Sequence, residues 1–205
     1  CVTACDSTNE CSAPSSTVVL YPDGKWRVAP TLLDGPSAVV KTKSAIVSWT
    51  TNRTSNSFVK YGKGSGDYGD EVGSSDQISL HEIALTGLDP GATYYYKVLW
   101  TDEDGNTGES AEQTLTTNPA PVVSAVTISD ISLYSAYVDF AIKNTTKAII
   151  QYGKTTGYGS NQEITTSRSE SSYMVKLENL DQGSEYHLRI QALDEEGNVF
   201  TSDDY

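Results

Sequence analysis

The chain has 205 residues, with 14 Lys and Arg against 27 Asp and Glu, and a formal net charge of −13. So acidic a chain lacks the basic footprint that nucleic acid requires and is repelled by anionic membrane, so its charge reads as solubility and self-repulsion. The length fits two domains of about 100 residues each, and no apolar run approaches the ~20 residues of a membrane-spanning helix.

Residues 1–28 read as a Cys-containing extension. All three cysteines, Cys1, Cys5 and Cys11, fall in its first eleven positions. A Cys-free remainder behind a Cys-clustered leader fits an exported, extracellular protein. A disulfide is expected, with Cys5–Cys11 closing a short loop; free thiols and a metal site are the alternatives. Cys1 is then left for a lipid anchor, an interchain bridge or a partner in an upstream segment. Three sulfurs with no nearby His make an incomplete zinc set. No signal peptide is evident, so a leader was removed or precedes the numbering. Thr17-Val18-Val19-Leu20-Tyr21 is a strand-like run. Pro22-Asp-Gly24 is turn chemistry, and Lys25-Trp-Arg-Val28 is expected to return as a second short strand.

From Ala29 onward the chain says one thing twice. Leu85-Thr-Gly-Leu88-Asp-Pro-Gly91-Ala-Thr-Tyr94 returns as Leu177-Glu-Asn-Leu180-Asp-Gln-Gly183-Ser-Glu-Tyr186, 92 residues on and without a gap. A repeat of that length is a domain rather than a solenoid unit of roughly 20–50 residues. The domains are placed at 29–117 and 122–205, joined by Asn118-Pro-Ala-Pro121, a short semi-rigid linker.

Ala45, Val47 and Trp49 alternate with polar or outward positions, as do Ala136, Val138 and Phe140. Val59 and Tyr61 match Ile150 and Tyr152. Tyr94, Tyr96, Val98 and Trp100 match Tyr186, Leu188, Ile190 and Ala192. Period two marks strands with one face in a core. The core is therefore expected around Trp49, Tyr61, Leu88, Tyr94 and Val98, and around Phe140, Tyr152, Leu180, Tyr186 and Ile190. Short strands separated by Gly, Asn and Asp turns, with no helical stretch, indicate an all-β fold of two tandem antiparallel sandwiches.

Trp49 on an early strand, followed by Leu88-Asp-Pro90-Gly91-Ala-Thr-Tyr94 before a Tyr/Val strand, resembles a fibronectin type III domain. The resemblance covers 29–117 and, more weakly, 119–205, where Gln182 stands for the proline and Phe140 for the tryptophan. It implies an immunoglobulin-like sandwich and a tyrosine corner, whose hydroxyl returns to the backbone a few residues upstream. Ser57-Phe-Val-Lys-Tyr-Gly62 is also similar to the N-terminal domain of purple acid phosphatases and to bacterial surface repeats. The phosphatase catalytic domain needs several Asp, His and Asn metal ligands; with two His in total, the chain does not carry that activity.

No Ser, Cys or Lys sits in a nucleophile motif. His81 and His187 do not align in the repeat and read as surface residues. Asp102-Glu-Asp-Gly-Asn106 and Asp194-Glu-Glu-Gly-Asn198 read as hairpin turns. Calcium is the alternative there, against the EF-hand spacing. Lys63-Gly-Ser-Gly-Asp-Tyr-Gly69 opens no helix and lacks a Walker-type Gly-Lys-Ser/Thr, so it reads as a loop rather than a phosphate cradle. Asn52-Arg-Thr54 and Asn144-Thr-Thr146 are glycosylation sequons at matching places in the repeats.

Period two also places Phe58, Lys60, Tyr95, Lys97 and Leu99 on an outer face of the first domain. The matching set in the second, Ile149, Gln151, His187, Arg189 and Gln191, is more polar. Phe58, Tyr95 and Leu99 thus form a grouped apolar patch, a candidate protein interface, with coverage by Trp26 of the same chain as the alternative. Finally, the first repeat runs eleven residues past Asn106 to Thr117, the second seven past Asn198 to Tyr205. About four residues of a last strand are lacking. Either more chain completes it or a neighbour does, through Val18, Val19, Leu20 and Tyr21, by strand addition. The expected role is a non-enzymatic stalk, spacer or assembly subunit, in contact with protein and with copies of itself. An accessory or carbohydrate-binding module of a secreted hydrolase is the alternative.

Overall fold

The computed structural model describes residues 24–205; Cys1, Cys5, Cys11 and Val18–Tyr21 lie outside them. It holds thirteen strands and no helix among the described residues. The first six are β1 (Leu32–Val40), β2 (Ser44–Gly62), β3 (Asp70–Thr86), β4 (Thr93–Thr101), β5 (Thr107–Glu109) and β6 (Gln113–Thr116). The other seven are β7 (Val122–Ser129), β8 (Ser135–Lys143), β9 (Lys147–Gly153), β10 (Ser160–Thr165), β11 (Ser171–Glu178), β12 (His187–Leu193) and β13 (Val199–Thr201). All pairings are antiparallel.

The two sandwiches close differently. In the second, β10-β9-β12-β13 and β11-β8-β7 are separate sheets. In the first, β2 and β3 are long enough to belong to both layers, and all six strands form one hydrogen-bonded sheet folded over itself. The sequence explains this. From Ser44 to Tyr61 there is no Gly or Pro to stop β2, so the chain changes layer at Thr51–Ser55 through an irregular register rather than a turn. At the matching place in the second repeat, Asn144 adopts a φ of 62° and separates β8 from β9; Asn tolerates that left-handed conformation.

Each sandwich has its own core. Trp49, Leu88, Tyr94 and Val98 are buried in the first, with Tyr61 packed at its margin. Phe140 and Ile190 are buried in the second, with Tyr152 and Leu180 at the margin, while Tyr186 is half-buried. Both tyrosine corners form. The Tyr94 hydroxyl accepts the Asp89 N–H and the Tyr186 hydroxyl the Asp181 N–H, each at 2.9 Å.

Two expectations are corrected. Lys25–Val28 is not a strand: the Trp26 N–H donates to Asp104 and its carbonyl accepts from Asn106, so side chains take the groups a strand partner would need. His81 is not a surface residue; it is fully buried in β3 and stacks on Trp49, with ring centroids 4.8 Å apart. Its Nε2 lies 2.8 Å from the Thr51 hydroxyl and its Nδ1 2.7 Å from that of Ser57. Thr51 spends its own proton on the Arg53 carbonyl. It must therefore accept from Nε2–H, and Ser57 donates to Nδ1. Both ring nitrogens are satisfied in the neutral imidazole only.

Burial lowers the His81 pKa from its ordinary 6.5. A depressed histidine means the unfolded chain binds the proton more readily, so the stabilisation is complete above about pH 6.5 and declines as pH falls below it. Urea midpoints of the first sandwich should fall between pH 7 and 5, and the slope should vanish in His81→Gln. A flat wild-type profile across that window contradicts the assignment.

Candidate functional site

The turns at Asp102–Asn106 and Asp194–Asn198 are built alike. Asp102 Oδ1 accepts the backbone N–H of Asp104 (3.1 Å) and Asn106 (2.8 Å). Asp194 Oδ1 accepts those of Glu196 and Asn198, each at 2.9 Å. Each carboxylate thus holds its own turn closed. Among the described residues no group of three or more His, Cys, Asp or Glu is placed to hold a metal ion.

What each turn grips depends on what precedes its domain. The first grips the entering chain. Arg53 donates to Asp102 at 2.6 Å and to the Val28 carbonyl, and its guanidinium lies 4.5 Å from the Trp26 ring. Trp26 is therefore fastened at the end of the sandwich. Burial pushes the Asp102 carboxyl up, but hydrogen bonds from Arg53 and Asn106 outweigh it and hold the pKa below its ordinary value.

The second turn grips the first sandwich. Glu195 accepts from the Thr42 hydroxyl (3.0 Å) and the Asn118 amide (2.8 Å), with Arg168 at 3.6 Å. Glu196 accepts from the Lys43 N–H (2.8 Å) and the Ser44 hydroxyl (2.5 Å). The Lys43 ammonium stands 5.1 Å from the Phe200 ring. Burial raises the Glu195 carboxyl; its bonds from Asn118 and Thr42 and the charge of Arg168 prevail, so its pKa lies below the ordinary 4.5. The sequence carried no local signal for this role, because the gripped residues lie 77 and 153 positions away.

The outer-face residues lie on neighbouring strands, with Phe58 and Leu99 directly paired and Tyr95 four residues away along β4. Tyr95 stands opposite Gly62; Phe58, Tyr95 and Leu99 are all half-buried. Phe58 lies over Gly73, where an added Cβ would come within 2.5 Å of its ring. Ion pairs Lys60–Glu71 and Lys97–Glu109 flank the patch. Trp26 lies at Arg53 and the 102–106 turn. In the Gly-rich loop, Ser65, the Gly66 N–H and Tyr68 all donate to Glu112, so the loop holds a carboxylate of its own. That bond to Glu112 pushes the Tyr68 hydroxyl up to about 12. Asn52 is exposed and accepts the Thr31 N–H, whereas the Asn144 amide donates to Ala120 in the linker.

The chain carries tandem fibronectin type III-like sandwiches. Residues 37–117 match the family described as "Purple acid Phosphatase, N-terminal domain". No curated protein matches the sequence. Among solved structures, the chain is similar to the FN1–FN3 domains of chicken CNTN1, at 16% identity and a TM-score of 0.43; 87% of this chain and 64% of that one are covered. It is also similar to a two-domain fibronectin type III segment of chicken tenascin, at 18% identity and a TM-score of 0.35, covering 87% of this chain and 95% of that one.

Proposed function

We propose that the chain is a non-enzymatic extracellular structural or adhesive module, a two-sandwich spacer serving as a subunit of a surface assembly. The junction supports this reading most directly. Both glutamates of one turn are committed to the other sandwich, at Thr42, Lys43 and Ser44, and to Asn118 at the start of the linker. Such a pair transmits position rather than hinging. Domain pairs joined by small polar contacts move by default, so the committed side chains matter more than the area they cover. The acidic charge and the clustering of cysteines outside the repeats favour an exported setting.

The test is orientation. Residual dipolar couplings of the two sandwiches should fit one alignment tensor in the wild type and two in Glu195→Ala/Glu196→Ala. Two tensors in the wild type would sink the spacer reading. The sign with pH follows from the depressed Glu195 pKa: the junction keeps its full contribution above about pH 4.5 and loses it as pH falls through the lower folded value.

The family match of residues 37–117 favours a second reading, an accessory module of a larger secreted hydrolase. The full open reading frame discriminates, since that reading requires a catalytic domain in the same gene.

A further inference from the structure

An open sheet edge presents a row of unpaired N–H and C=O groups, and folded proteins blunt such edges. Most edges of this chain are blunted. β1 carries Pro36 and two register shifts against β2. β7 is bulged between Ser124 and Thr127, where Ala125 adopts a φ of 51°. β5, β6, β10 and β13 are three to six residues long. β11 carries a lysine, Lys176, on its outward face.

β3 is the exception. Among the described residues it pairs with β2 alone, so its other edge is open. From Leu80 to Thr86 it runs against Thr50 to Ser44 in seven consecutive pairs without a shift. No Gly, Pro, Lys or Arg falls between Ile78 and Thr86. His81, Ile83 and Leu85 face the core, whereas Leu80 is 73% and Ile78 40% exposed. Ladder bonds recur at every second residue, so alternate residues of this stretch turn their N–H and C=O to the open side. The repeat sharpens the contrast: β11 has Ser172 in the place of Leu80 and Lys176 in that of Ala84.

The charge on this edge is of one sign. Between Lys63 and Lys97 the sequence has no Lys or Arg, and β3 carries Asp70, Glu71, Asp76 and Glu82. Lys60 answers Glu71. No cation is paired with Asp76 or Glu82 among the described residues. Such an edge opposes a second copy of itself. Two antiparallel β3 strands centred on Ser79 would set Glu82 opposite the other Asp76. Centred on Leu80 they would set the same two acids diagonally, and centred on His81 the two Glu82 side chains. Like charges so placed are destabilising. The edge instead fits a strand that is apolar in the middle and basic at both ends.

We infer that the open edge of β3 binds an extended, cationic segment of a partner protein by strand addition. The backbone of the segment takes the free N–H and C=O groups between Ile78 and Thr86. Apolar side chains two residues apart lie beside Leu80 and Ile78. One Lys or Arg stands beside Glu82 and a second near Asp76, so that charge selects the partner and fixes its register. A chain with a net charge of −13 also steers such a segment toward itself. The inference rests on the reading of the chain as a structural or adhesive module and supplies the chemistry of its partner.

The probe is the end-capped peptide Thr-Lys-Thr-Leu-Thr-Val-Thr-Lys-Thr, whose pattern is the same in either strand direction. In the free 205-residue chain, alternate amides from Ile78 to Thr86 should exchange rapidly with solvent. Peptide titrated to millimolar concentration should shift and protect those amides in NMR spectra. Binding should weaken several-fold when salt is raised well above physiological strength, and roughly tenfold in Glu82→Lys. A peptide with Glu in place of both Lys should bind Glu82→Lys more tightly than it binds the wild type. Leu80→Lys, at a site 73% exposed and outside the core, should abolish binding and leave the melting temperature unchanged. No shift along β3 overturns the inference, as does equal binding by a scrambled peptide of the same composition. Edge amides already protected in the free chain would assign the edge to the chain's own residues or to a second copy, and also overturn it. None of these outcomes moves the alignment tensors of the two sandwiches, on which the spacer reading stands or falls.

Discussion

Trp49→Ala is expected to cost the first sandwich roughly 3–5 kcal/mol, the usual range for emptying the site of a large buried aromatic. Trp49 is 2% exposed and carries the stack on His81. Its indole N–H has no partner among the described residues, so the substitution orphans no acceptor there and the loss is one of packing. His81 would keep both hydroxyl partners but lose the ring beside it. A small domain has only about 5–15 kcal/mol in total, so much of the first sandwich should be unfolded at modest urea. The second sandwich, with its separate core around Phe140, should melt as before. A change under about 1 kcal/mol in the first transition would place Trp49 outside the core.

Asp102→Ala should be nearly as severe, and more so than the same change at Asp194. The two carboxylates hold identical turns, but only Asp102 faces a guanidinium. The Asp102 and Arg53 side chains are 4% and 16% exposed. Removing the acid leaves a largely buried cation whose Nε already has no partner among the described residues. Breaking a buried pair costs about 3–5 kcal/mol; the residual exposure of Arg53 puts the expectation at the lower end. Asp194→Ala loses bonds within its turn and should cost about 1–2 kcal/mol. Arg53→Met in the Asp102→Ala background should recover part of the loss. Equal costs at the two aspartates in chemical denaturation would show that the ion pair contributes nothing.

These contrasts also show what could be read from letters alone. Period two gave the inward faces of β2, β4, β8 and β12 because each buries one face against its own core. The Leu-x-Pro-Gly-x-x-Tyr run gave the first tyrosine corner because that bond closes within five residues. His81 was misplaced because its environment is assembled from Thr51 and Ser57, 30 and 24 positions away, and a lone His in a strand resembles a surface residue. The joining of layers by β2 did have a signal, the lack of Gly and Pro from Ser44 to Tyr61, although alternation alone gave two strands there. The roles of Glu195 and Glu196 had none: their turn repeats the first one, and only the neighbour it meets differs.

The single folded sheet of the first sandwich bears on how the chain would respond to tension. When tension is applied between its ends, the second sandwich can yield by letting one sheet slide off the other, since the two share no strand. In the first, β2 and β3 are stitched to each other across both layers, and separating the layers means tearing that seam. In a single-molecule pulling experiment the second sandwich is therefore expected to yield before the first.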